Sequence, residues 1–233
     1  MKKIIWQQFS CLFLFSACAL ASSPSLELDE ALKEYTQWET IQVNVEQGSN
    51  LTSMRSDGGY KTLLANFVLF AESDYAEANN WLAVNNADIP SPLYWAMAYV
   101  ASKHKQPNTE VFKWLSIAQT TGRYDIARCK DATASAAYDE LFQANEDLFI
   151  PARNNFKEYL RISRATLDEL KKSPYHASPM WVCSSGMAAF KFDNTDQPLP
   201  VSYNELVKLD PHPEKSWIKF IDATKNSLIK VKD

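Results

Sequence analysis

Apolar side chains recur every three or four residues through almost all of this chain, and that spacing commits it to helices. Leu28, Ala31, Leu32, Tyr35 and Trp38 make one stripe, and Leu63, Leu64, Phe67, Phe70 and Ala71 make a second that starts at Tyr60. Others follow at Ala78, Trp81 and Leu82, at Leu93, Ala96, Met97 and Val100, at Val111, Trp114, Leu115 and Ala118, and from Trp217 to Leu228. No segment alternates apolar and polar residues in the manner of a strand. Glycine points the same way, with five in 233 residues. Two-residue hairpins and phosphate-cradling loops need glycine where the backbone takes positive φ or meets a ligand. Gly48, Gly58, Gly59, Gly122 and Gly186 fit neither the dinucleotide nor the phosphate-loop fingerprint. The expected fold is all-α, one compact domain over residues 25–233 built of stacked antiparallel helical hairpins, as an α-solenoid or an irregular helical array.

Helix boundaries are written in capping chemistry. Asp74 is placed to cap the helix bearing Trp81, and Asn108 or Thr109 to cap the one bearing Trp114, with Glu110 in its first turn. Gly122 stands where that helix should end. Residues 43–58 lose periodicity and read as loop. Further on, Tyr124 to Cys129 reads as a short helical piece, and Ala132 to Phe142 as another. Pro151 should open one long amphipathic helix through Leu170. Ser178-Pro179 should start a buried helix from Met180 to Phe190, and Ser202 with Glu205 forms a capping box. Trp81, Trp114 and Trp217 lie on apolar stripes and are assigned to the core; Trp38 and Trp95 could face either way.

Two of these units match each other. Leu63 and Ala96, Leu64 and Met97, Phe67 and Val100, Trp81 and Trp114, and Leu82 and Leu115 all share one offset of 33 residues. A two-helix unit of that period, together with Trp114-Leu115-x-x-Ala118-x-x-x-Gly122, resembles the tetratricopeptide repeats and their Sel-like relatives. The resemblance covers about residues 60–127, with repeat-like hairpins at 60–86 and 93–122. It implies a concave surface for a protein or peptide. A third unit would put Asp147 where tryptophan belongs, so the pattern stops at two.

The first residues read as an export signal. Lys2 and Lys3 precede an apolar run from Phe9 to Leu20, too short for a membrane anchor. Ala19-Leu20-Ala21 offers an ordinary cleavage site, which makes 1–21 the signal peptide. Phe15-Ser16-Ala17-Cys18 offers a lipobox instead, ending the signal at 17 with Cys18 as lipid anchor. The expected destination is the bacterial periplasm, soluble or held to the outer membrane by that lipid. If cleavage falls after Ala21 only Cys129 and Cys183 remain, and in an oxidising compartment they would form one disulfide, or else stay as two buried thiols.

Net charge is −4, the wrong sign for neutralising phosphates, so nucleic acid is excluded as a partner. His104, His176 and His212 share no metal-ligand spacing, and Val182-Cys183-Ser184-Ser185-Gly186 lacks the glycine a nucleophile elbow needs two residues before its serine. No catalytic, metal or cofactor residues are assigned. A Cys129–Cys183 bond would bring Arg123, Tyr124 and Arg128 beside His176 and Trp181, a mixture suited to recognising a partner. The alternative is that the arginines pair with local acids such as Asp125 and Asp131. The expected activity is non-catalytic: an exported envelope protein that binds a protein or peptide, as a scaffold or as an inhibitor or immunity protein. The competing reading is an envelope-polymer hydrolase with an unrecognised active site, signalled by His176 near a carboxylate and a serine.

Overall fold

The structure is a computed structural model and describes residues 24–36, 60–193 and 201–229. The signal segment with Cys18, Trp38, and the loop with Gly48, Gly58 and Gly59 lie outside the described residues. The chain is all-α. Its helices are α1 Pro24–Thr36, α2 Tyr60–Ser73, α3 Tyr75–Val84, α4 Ser91–Lys103, α5 Asn108–Arg128, α6 Ser135–Ala144, α7 Ile150–Asn154, α8 Phe156–Leu170, α9 Met180–Cys183, α10 Tyr203–Leu206 and α11 Pro213–Ile229. Among the described residues there is no strand; an isolated antiparallel bridge joins Cys129 and Val207.

The stripes read from the sequence face inward. Leu28 and Tyr35 of α1, Leu63 and Phe67 of α2, and Leu93, Met97 and Val100 of α4 are all fully buried. Helix α5 is the axis of the molecule, packed against α4 most extensively and also against α6, α7, α8, α9 and α11. Both tryptophans of the 33-residue pair are core residues, Trp81 anchored by its indole N–H on Asp29 Oδ1 (2.8 Å) and Trp114 on Glu110 Oε1 (3.0 Å). Trp95 is buried too, edge-on to Tyr138, Phe142 and Phe149. Asp74 caps α3 as expected, accepting from Glu77 N, and the Ser202–Glu205 capping box opens α10.

Four boundaries differ from the sequence reading. Neither Asn108 nor Thr109 caps α5, which begins at Asn108 behind Pro107 with no side-chain bond to its first N–H groups. Gly122 does not end a helix: α5 runs through it to Arg128 and absorbs the short piece from Tyr124. Its role is close approach, since a Cβ there would stand 2.6 Å from Tyr138 Cε2 and 2.9 Å from Ser91 Oγ. Glycine thus lets α4, α5 and α6 meet at one point. The helix expected from Pro151 breaks at Asn155, whose φ of −128° and ψ of 57° divide α7 from α8. Met180 to Phe190 forms only the single turn α9 and a short 3₁₀ turn, Met187–Ala189. The cause lies 57 residues away in sequence, where the Asp131 carboxylate accepts from Ala188 N (2.6 Å) while Thr133 Oγ1 accepts from Met187 N (2.8 Å). Those bonds replace the helical ones.

Candidate functional site

Cys129 at the end of α5 and Cys183 at the end of α9 are joined as a disulfide across 54 residues. The bond does bring the two polar-aromatic segments together, but it turns most of them inward. Tyr124 is 4% exposed, Trp181 3%, and the Arg128 side chain 16%. Arg123 and His176 stay on the surface. The backbone of His176 and Ala177 is pinned, both N–H groups donating to Ala87 O at 2.7 and 3.0 Å.

The centre of the inward cluster is Asp125, wholly buried and one of the local acids named above as alternative partners of the arginines; for Arg128 that pairing is the one the structure shows. Its Oδ2 accepts from the Trp181 indole N–H (2.6 Å) and the Tyr175 hydroxyl (3.0 Å), and its Oδ1 takes the Arg128 guanidinium. Arg128 also donates to Ala177 O and lies over the rings of Tyr124 (5.0 Å) and Tyr175 (5.5 Å). Tyr35 of α1 closes the group by donating to Ser178 O. Burial pushes the Asp125 carboxyl upward, against the pull of Arg128, Trp181 and Tyr175. The carboxylate has partners on both oxygens, so the cluster fastens the segment 175–181 to α5. It has no opening for a reactant to use.

Tyr175 faces two ways. Its hydroxyl holds Asp125, while the residue also lines a groove of about 640 Å³ that opens on the surface between α3, α5, α8 and α11. Leu82, Tyr94, Trp114, Ile117, Ile162, Leu170 and Trp217 form most of the apolar lining, with Ala83, Ala165 and Pro174 exposed at the lips. Four charged residues line it, and they pair along their own helices: Glu110 with Lys113 (3.7 Å) and Glu169 with Lys172 (2.8 Å). Lys113 Nζ rests 4.3 Å from the Trp114 ring centroid. Glu110 is further fixed by the hydroxyl of Tyr75 at 3.2 Å, a phenol that burial pushes up to about 12.

The volume falls in the range of ligand sites, as does the plan of an apolar lining with a few placed polar groups. Among the described residues, no group of three or more His, Cys, Asp and Glu side chains is arranged to hold a metal ion, and no helix is long and apolar enough to cross a membrane. The groove is not legible in the sequence, because its lining comes from five helices, from Asn86 in the turn after α3 and from the segment 172–175. Only the i,i+3 charge pairs were visible as sequence. No family model matches the chain, and no curated protein or solved structure is significantly similar to it.

Proposed function

We propose that this protein acts by binding, and that the groove between α3, α5, α8 and α11 receives a segment of a protein or peptide partner. The observation that carries the reading is that cleft of about 640 Å³, floored by aromatic and aliphatic side chains and bordered by charges already paired within the protein. Proteins keep such apolar concavities open at the surface where a partner covers them. The two-unit repeat pattern supports the same reading, since stacked helical hairpins present concave surfaces to protein ligands. The basic and apolar N-terminal stretch and the Cys129–Cys183 bond suit an exported protein of an oxidising envelope compartment, working there as a scaffold or an inhibitor.

Site-specific photocrosslinking in cells tests it. A photoreactive amino acid at Ala165, exposed on the groove lip, should give a discrete protein adduct; the same group at Glu140, exposed on α6, should not. Equal labelling from both positions, or none from Ala165, would refute the groove as the binding surface.

A further inference from the structure

We infer that the groove selects an uncharged peptide segment bearing large apolar side chains, with its backbone read by the amides of Asn79 and Asn86. This rests on the groove being the binding site proposed above. The first argument is charge. The four charged side chains in the lining sum to zero, Glu110 beside Lys113 and Glu169 beside Lys172, so the mouth has no net charge to offer. A charged occupant entering an apolar cleft would lose its hydration without gaining a counter-ion.

The second argument is which face of the aromatics is open. Tyr94, Trp114, Tyr175 and Trp217 are each at most 4% exposed. None presents a free ring face as a stacking platform for a sugar; packed as they are, they form a smooth apolar floor. Exposed Ala83 and Ala165 leave room at the lips for bulky side chains to enter.

The third argument separates a peptide from a hydrocarbon chain. Asn86 is held through its backbone, whose carbonyl accepts from the Tyr94 hydroxyl (3.1 Å), and its side-chain amide stands exposed at the lip. Asn79, seven residues earlier on α3, also lines the groove. Among the described residues neither amide is bonded to the protein. Each supplies one acceptor and two donors, which match a peptide backbone and are useless to an acyl chain.

The test uses the whole oxidised protein and an uncharged fluorescent probe, N-phenyl-1-naphthylamine. The probe should bind, and Ala165→Trp, which fills the lip from an exposed position, should abolish that binding with the helical circular dichroism unchanged. An end-blocked peptide of Leu, Phe, Ser and Thr should displace the probe. Exchanging its central Leu for Glu or for Lys should weaken displacement about tenfold or more, the effect of an unpaired charge in an apolar site. The double change Asn79→Ala with Asn86→Ala should weaken the parent peptide by about tenfold, two modest hydrogen bonds. Equal displacement by the charged peptides, displacement by a neutral fatty alcohol but not by the peptide, or indifference to the asparagines would overturn the inference and leave the groove as a binding site. Failure of the probe to bind, or binding insensitive to Ala165→Trp, would instead remove the groove reading on which it stands.

Discussion

Replacing Asp125 by alanine should be among the most damaging single changes in the molecule. The side chain is completely buried and satisfies three donors at once: the Arg128 guanidinium, the Trp181 indole N–H at 2.6 Å and the Tyr175 hydroxyl at 3.0 Å. Its removal leaves the Arg128 cation with only the Ala177 carbonyl and two aromatic rings for company. Breaking a buried ion pair from one side costs about 3–5 kcal/mol, mostly the uncompensated charge left behind. The two stranded neutral donors would add about 1–3 kcal/mol each if they stayed dry. A cavity lined by such polar groups admits water, so these figures overlap and the net loss should be about 4 kcal/mol. That is a large part of the roughly 5–15 kcal/mol by which a domain is stable.

Urea unfolding followed by tryptophan fluorescence, with the disulfide kept oxidised, reads the loss directly. With a slope of about 2 kcal/mol/M, the midpoint should fall by about 2 M. The mechanism makes a sharper demand on the double variant. If the damage comes from the orphaned cation, Asp125→Ala with Arg128→Ala should be no less stable than Asp125→Ala alone, because the second change deletes the charge the first left unpaired. Additive losses from the two substitutions, or a single-variant loss below about 1 kcal/mol, would show that Asp125 is not the counter-ion its geometry implies.

Two other changes test the helix crossing at Gly122 and the disulfide. Gly122→Ala should destabilise by up to about 2 kcal/mol, because overpacking against Tyr138 and Ser91 outweighs the roughly 1 kcal/mol gain in helix propensity. In a Tyr138→Ala background the same substitution should become neutral or stabilising, and thermal unfolding of the four proteins would expose a helix-end role by showing equal losses in both backgrounds. Converting Cys129 and Cys183 to serine releases a 54-residue loop, which the loop-entropy account puts at about 4 kcal/mol. The urea midpoint of the serine variant, compared with that of the oxidised protein, measures it; an unchanged midpoint would mean that the bond constrains nothing in the unfolded chain.

Local rules carried most of the helices. Leu63 and Phe67, or Leu93, Met97 and Val100, repeat at the helical period, and burial of one face is what that period encodes. Asp74 and the Ser202–Glu205 box are equally local, each satisfying N–H groups within three residues. The misread boundaries depend on distant partners. Nothing near Met187 and Ala188 announces that Thr133 and Asp131 will take their N–H groups, and a helix-forming stretch unwinds because of it.

The inward turn of Arg128 follows from the continuation of α5 past Gly122, and Trp181 is drawn in with it by Asp125. With α5 ended at Gly122, Asp125 and Arg128 fall on a separate short helical piece, where a charged pair three residues apart is most simply solvated. With α5 continued, Ala118, Gly122, Asp125 and Cys129 fall at spacings of four, three and four, a single stripe whose other members are apolar or small. A lone carboxylate on such a stripe has to find donors inside the protein, because leaving it unpaired there costs more than any nearby contact returns. The sequence therefore did contain a sign of the buried cluster, and with it of Tyr175 as the residue that fixes one wall of the groove. Gly122 obscures that sign, because glycine commonly ends helices, whereas in this chain its lack of a side chain is what lets the central helix be crossed.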